Sequence, residues 1–334
     1  MIKLFKMNFF IMTITGTLIT ISSYSWLGMW MGLEINMLAI IPLMSSSKNM
    51  FSSESAMKYF LTQAMASILF ISAIIASMIP NPMFLLFQNE ILMTTALLIK
   101  LGSAPFHFWF TEVMEGLDWM SGSIILTWQK IAPLMILFNS PPSNPMILMA
   151  TFSSLIMSGV MSINVNSLRK IMTLSSINNI AWMLSSMLLS SSLWFTYFLV
   201  YSIIVLNVTM MFHIHKTFFI SQAINSMNNN KTFKMSFYLN FLSMAGLPPF
   251  LGFLPKWLLV NEMISNQMML MTWALITMTL IMAFTYVQIC INILILTFNE
   301  PKIKMPENTN WMINLINLIS LSSLIFYSLV NSIA

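Results

Sequence analysis

Apolar runs of about twenty residues recur along the whole chain, and that is the length an α-helix needs to cross the hydrocarbon core of a bilayer. In hydrocarbon every backbone N–H and C=O must be satisfied within protein, so a chain made of such runs folds as a helical bundle. The runs lie near residues 8–23, 26–44, 56–79, 88–110, 122–139, 145–163, 171–189, 193–215, 236–264, 267–297 and 311–332, about eleven transmembrane helices. Composition agrees: of 334 residues, 58% are hydrophobic and 7% charged, against about 25% charged in a typical soluble domain. The connections are short, and the longest, near 216–235, is Asn-rich without an apolar period. The reading is one all-α polytopic membrane domain over 1–334. The start, MIKLFKMNFF, enters the first span with no small-residue cleavage site, so no cleavable signal is expected. One cysteine, Cys290, leaves no disulfide framework, CxxC pair or iron–sulfur ligation to this chain.

Loop charges orient the bundle. With loops numbered alternately, one side collects Lys3, Lys6, Lys48, Lys58, Arg169, Lys170, Lys216, Lys231, Lys234, Lys302 and Lys304, and the other collects none. The positive-inside rule then puts the N-terminus on the inner face and the C-terminus on the opposite one. Glu112, Glu115 and Asp118 fall on the same side as the lysines, but acidic residues contribute little to that rule. The net charge of +5 is explained by these loops, so no nucleic-acid partner is expected.

The loops leave Lys100, Lys130 and Lys256 unclaimed, all three inside spans, together with Glu34 in the second span. Lys100 lies near mid-span, about 15 Å from either surface at 1.5 Å per residue, too far for its side chain to snorkel. It is followed by G-S-A-P-F at 102–106, and 246–250 reads G-L-P-P-F. Both fit G-x-x-P-F, one in the fourth span and one in the ninth, which cross in opposite directions. Gly/Pro interruptions at corresponding positions of two halves mark an inverted repeat with discontinuous helices, here around 100–106 and 246–250. The half-repeats would run roughly over 8–139 and 145–297, with 311–332 as an added C-terminal helix.

Intramembrane ionisable residues are functional by default, and a Glu with several lysines at mid-depth makes a chain of protonatable groups. Lysine suits that task because burial and a movable counter-ion can swing its protonation, which arginine resists. The other reading is structural: Gly and Pro are frequent in membrane helices, buried ion pairs can merely hold helices in register, and Lys256 beside Trp257 can be interfacial. His107, after the first break, fits either a relay or a packed face. His213 and His215 are two apart and face away from one another on a helix, and no histidine pair has the spacing of a haem or metal site.

Four stretches, GLEINMLAIIPLM at 32–44, LLIKLGSAPFHFWFTEVMEG at 97–116, TWQKIAPL at 127–134 and AGLPPFLGFLPKW at 245–257, resemble the antiporter-like membrane subunits of respiratory complex I over nearly the whole chain. The resemblance implies a proton path in which Glu34 and Lys100 form a switching ion pair and Lys130 and Lys256 pass or release a proton. It implies no cofactor on this chain. NADH, FMN, iron–sulfur clusters and ubiquinone would belong elsewhere in the complex, and quinone reduction there would drive the pump. The implied partners are other membrane-arm subunits, including neighbouring antiporter-like ones, and lipids. The length resembles the animal form, which lacks three N-terminal helices of bacterial relatives, and the 36 methionines resemble mitochondrially encoded proteins. Both imply the mitochondrial inner membrane, with the N-terminus in the matrix and the C-terminus in the intermembrane space. Asn179 stands where many relatives carry a histidine. A stand-alone cation/proton antiporter and a purely structural membrane subunit are the competing readings.

Overall fold

A chain that hides polar groups from lipid turns the usual inside and outside over: hydroxyls and amides collect between helices and apolar side chains face outward. The computed structural model, which describes residues 2–46, 49–78, 83–139, 145–229 and 231–296, has this arrangement. Thr13, Thr17, Thr151, Ser154 and Ser158 are buried, whereas Leu18, Leu27, Ile68, Leu280 and Phe284 are exposed. Many of the buried hydroxyls donate to the carbonyl one turn back, as Thr13 does to Phe10 and Thr17 to Ile14, both at 2.7 Å.

The described residues form helices without a strand. They are α1 Ile2–Ser22, α2 Trp26–Met44, α3 Met50–Met78, α4 Met83–Leu101, α5 Phe108–Gly116, α6 Trp119–Leu126, α7 Trp128–Phe138, α8 Pro145–Met161, α9 Leu168–Met187, α10 Ser191–His215, α11 Ile220–Asn229, α12 Lys231–Ala245, α13 Phe253–Ser265 and α14 Met269–Leu296. Seven segments among them are long and apolar enough to cross a membrane: Leu4–Ser22, Trp26–Met44, Met50–Met78, Trp119–Phe138, Pro145–Asn164, Ser191–His215 and Met269–Asn292. Three expected spans fall short of that measure. The run at 88–110 divides between α4 and α5, and that at 236–264 between α12 and α13. The run at 171–189 is α9, whose Ser, Thr and Asn content is high because the helix is buried on nearly every face. A helix surrounded by protein has no need of an apolar exterior. The expected span at 311–332, with Lys48, Lys302 and Lys304, lies outside the described residues.

The chain divides into two compact units, Met1–Ser154 and Leu155–Ala334. In the first, α1 lies along α2, and α3 packs against α2, α4 and α5. The α1–α2 approach depends on glycine: a Cβ on Gly32 would come within 2.5 Å of Thr20 Cγ2, and one on Gly16 within 2.9 Å of the Asn36 nitrogen. Lys58 on α3 reaches Glu54 at 3.1 Å and Glu112 on α5 at 3.0 Å, joining two groups that the loop pattern assigns to one face. In the second unit α9 packs against α10 and α14, and α12 against α10 and α14. There Leu168 N–H donates to Phe218 and Ile220 N–H to Asn166, and the Arg169 guanidinium lies 4.6 Å from the Phe218 ring centroid. The segments carrying Arg169 and Lys216, which the charge pattern also put on one side, therefore meet.

Gly32→Ala should overpack the α1–α2 contact and destabilise by about 1–3 kcal/mol, read as a lower thermal midpoint of the solubilised protein. Gly159→Ala, whose Cβ would lie 3.7 Å from its nearest neighbour atom, should be neutral or slightly stabilising in the same assay.

Candidate functional site

A helix that stops among apolar neighbours exposes its last carbonyls, and both G-x-x-P-F stretches end their helices in the same way. At the first, Gly102 adopts φ +70, its N–H donates to Ile99 and the Ser103 N–H reaches back to Leu98. At the second, Gly246 adopts φ +80, its N–H donates to Ser243 and the Leu247 N–H reaches Leu242. This double closure needs a left-handed residue just past the helix, which glycine supplies without a Cβ penalty. One more backbone bond corresponds: Phe106 N–H donates to Ser103 and Phe250 N–H to Leu247, at 2.9 and 3.0 Å. The five-residue match in sequence is thus a match in backbone hydrogen bonding.

Further donors reach the last-turn carbonyls and differ between the two breaks, giving Ile99 a second bond and Lys100 and Ala245 one each. In the first unit Trp109 Nε1 donates to Ile99 at 3.1 Å and Gln63 Nε2 to Lys100 at 3.4 Å. In the second, Lys256 Nζ donates to Ala245 at 3.1 Å. Lys256 follows the break in sequence yet serves the helix before it, where an ammonium complements the negative end of the helix dipole. Gly246 makes room for it: a Cβ there would lie 2.7 Å from Nζ.

Lys100, 7% exposed in the last turn of α4, lines a small cavity with Asn36, Tyr59, Gln63, Gln129 and Pro133. Its volume is about 10 Å³, on the order of one water molecule. Asn36 and Gln129 exchange two amide hydrogen bonds, at 3.1 and 2.9 Å, and the Tyr59 hydroxyl donates to Gln129 Oε1 at 3.3 Å. These bonds tie α2, α3 and α7 together around the lysine. Pro133, inside α7, has no N–H to donate to the carbonyl of Gln129 one turn back.

Glu34 is half-buried on α2, between buried Leu33 and Asn36 and outward-facing Met31 and Leu38. Among the described residues no ion pair within 4.0 Å joins it to Lys100. The sequence implied a buried carboxylate, but helix periodicity turns Glu34 to the margin of the packed face and places Asn36 inward. Lys130, 2% exposed near the start of α7, lies 5.7 Å from the Phe110 ring centroid and is not among the residues lining the Lys100 cavity. Its neighbour Gln129 is, because successive helical residues point about 100° apart. His107 is buried with its ring 4.4 Å from that of Phe108.

Lys256 is half-buried rather than enclosed, since α13 turns Trp257 outward beside it. It lines a cavity of about 20 Å³ with Asn179, Tyr197, Tyr201, Ser243 and Gly252 among others, and its Nζ lies 6.0 Å from the Trp182 ring centroid. The structure therefore gathers Lys100 with four polar residues in the first unit and Lys256 with another four in the second. Sequence reasoning missed Asn36, Tyr59, Gln63 and Gln129, as well as Tyr197, Tyr201 and Ser243. A mid-span amide such as Gln63 or Gln129 was a visible signal. The tyrosines were not, because their hydroxyls also suit a membrane interface.

Breaking the amide pair should be strongly non-additive. Asn36→Ala and Gln129→Ala should each strand a buried partner, and a double-mutant cycle on thermal stability should return a coupling of about 0.5–3 kcal/mol.

With this geometry in hand, comparison with known proteins is informative. Residues 23–282 match the family described as NADH:quinone oxidoreductase/Mrp antiporter, TM. The chain is 44% identical over 331 residues to NADH-ubiquinone oxidoreductase chain 2 of Anopheles gambiae, covering 96% of each. Its fold matches a chain of respiratory complex I from Thermus thermophilus with TM-score 0.82 at 19% identity, over 96% of this chain and 77% of that one. It also matches a chain of the Mrp complex from Dietzia sp., with TM-score 0.79 at 10% identity, over 96% and 74%. Below 25% identity these two likenesses concern the fold alone. The chain belongs to the NADH:quinone oxidoreductase/Mrp antiporter family of membrane proteins, alongside the NADH-ubiquinone oxidoreductase chain 2 proteins.

Proposed function

We propose that this chain is a core membrane-arm subunit of NADH:ubiquinone oxidoreductase that carries protons through Glu34, Lys100, Lys130 and Lys256. The observation that carries the reading is the pair of glycine-terminated breaks, alike in backbone hydrogen bonding, each with a lysine beside it that faces a small polar cavity. Helix breaks that uncover backbone polar groups in a membrane are tolerated where they are covered by protein or line a polar path, and paired breaks in two halves mark the transport site of inverted-repeat proteins.

On this reading the chain forms one antiporter-like domain of about eleven transmembrane helices, with half-repeats around 8–139 and 145–297 and a last helix at 311–332. It lies in the mitochondrial inner membrane with its N-terminus in the matrix and its C-terminus in the intermembrane space. The partners are neighbouring membrane-arm subunits and lipids, and the redox groups (NADH, FMN, iron–sulfur clusters and ubiquinone) are held elsewhere in the complex. Each lysine contributes an ammonium whose proton is retained while a carboxylate is near and shed when that charge moves away. On this reading a rotation of the Glu34 side chain or a shift of α2 changes that balance, and no contact ion pair within 4.0 Å has to be broken for it. The matched family, whose description also names the Mrp antiporter, leaves one rival, a stand-alone cation/proton antiporter, and native gel migration of the chain by itself rather than within a large assembly would support it.

Lys100→Met in the assembled complex should leave assembly intact and lower pumping-linked turnover about tenfold, equivalent to about 1.4 kcal/mol in the barrier. Proton-to-electron stoichiometry measured in proteoliposomes checks it, and a full ratio in the variant would sink the proton path.

A further inference from the structure

The peptide units on either side of the Lys100 Cα are both held by side chains from other helices. The Ile99 carbonyl, which shares its peptide plane with the Lys100 nitrogen, accepts from Gly102 N–H and from Trp109 Nε1, each at 3.1 Å. A carbonyl oxygen has two lone pairs, and here both are taken. The Lys100 carbonyl accepts from Gln63 Nε2 on α3 at 3.4 Å. Peptide units are planar, so holding the two that flank Lys100 fixes the direction in which its side chain leaves the last turn of α4. The indole is set in turn by the seating of α5 on α3. Trp109, Glu112 and Gly116 lie at i, i+3 and i+7, one face of a helix. On that face the Trp109 ring meets Tyr59 edge-on, with centroids 5.8 Å apart, and Glu112 meets Lys58 at 3.0 Å. Gly116 lies so close to α3 that a Cβ would stand 2.5 Å from the Phe51 carbonyl oxygen. Tyr59 donates to Gln129 and lines the Lys100 cavity, as Gln63 does, whereas Trp109 is not among the lining residues. The second break is built otherwise: Phe253 stands seven residues past Gly246, as Trp109 stands seven past Gly102, and a phenyl ring has no N–H to give.

We propose that Trp109 and Gln63 are positioning residues for Lys100, each latching one of the two peptide units beside it. Trp109 does more, because the ring that carries the N–H also braces Tyr59, a wall of the cavity the lysine faces. One side chain thus sets both the lysine and a group opposite it. The assignment rests on the proton-path reading of Lys100 above. Neither residue moves a proton in it. They determine where the ammonium stands with respect to Asn36, Tyr59 and Gln129.

The test uses the assembled complex with Trp109→Phe, which keeps a ring beside Tyr59 and removes the N–H. Backbone hydrogen exchange over residues 99–104 should speed up about two- to tenfold, the effect of one hydrogen bond, while peptides of the second unit exchange as in the native complex. Proton-coupled turnover should fall severalfold in the native background and fall no further in a Lys100→Met background, because the latch acts through that lysine. A merely structural role would cost the same fraction in both backgrounds. Equal fractional losses, or unchanged exchange over 99–104, overturn the assignment. Gln63→Leu frees the other carbonyl and is judged by the same two readouts, so the proposal stays testable if the tryptophan variant fails to assemble. Full proton stoichiometry in Lys100→Met overturns the path reading instead, and exchange over 99–104 then decides the latch independently of it.

Discussion

The constraint on which the rest depends is the last turn of a helix that ends inside a membrane protein. Water cannot reach its carbonyls, and each one left bare costs several kcal/mol. Two such ends occur here, at Leu101 and Ala245, and nearby polar side chains are placed with respect to them. Glycine in the left-handed region folds the following N–H groups back onto two carbonyls. Gln63 at one end and Lys256 at the other take a further carbonyl, and Trp109 adds a second bond to Ile99. A polar residue close to a break is therefore first a solution to backbone desolvation, and its chemistry builds on that role.

The two lysines illustrate how one backbone solution supports two different sites. Lys100 precedes its glycine and is buried at the carbonyl end of its own helix, with α2, α3 and α7 closing amides and a phenol around it. Lys256 follows its glycine by ten residues and reaches back to the preceding helix. In both cases the ammonium sits at the negative end of a helix dipole, an interaction worth about 0.3–2 kcal/mol. Among the described residues no carboxylate lies within 4.0 Å of either lysine.

Much was legible in the sequence because membrane solvation acts on long, regular stretches. Ten of the expected runs coincide with described helices or helix pairs, since a run of about twenty apolar residues has few alternatives in hydrocarbon. The breaks were legible too, because Gly and Pro act on the backbone locally, and Gly102 and Gly246 have the positive φ that only local chemistry needed to demand. Depth was less legible. Glu34 and Asn36 are two residues apart and both polar, and the sequence offers no rule for which faces inward. The choice follows from where Gly16 lets α1 approach.

By itself, then, the sequence determined a polytopic helical bundle, its two glycine-terminated interruptions and the mid-span charges, because each arises from short-range backbone or solvation physics. Only the tertiary structure decided what surrounds those charges. Asn36 meets Gln129 across 93 positions and Gln63 meets Lys100 across 37, and such partners are selected by helix packing rather than by spacing. The direction of the Tyr197 hydroxyl belongs to the same class. A phenol in a span can serve an interface, a core or a water, and it is the orientation of Asn179 on α9 that settles which way the Tyr197 proton points.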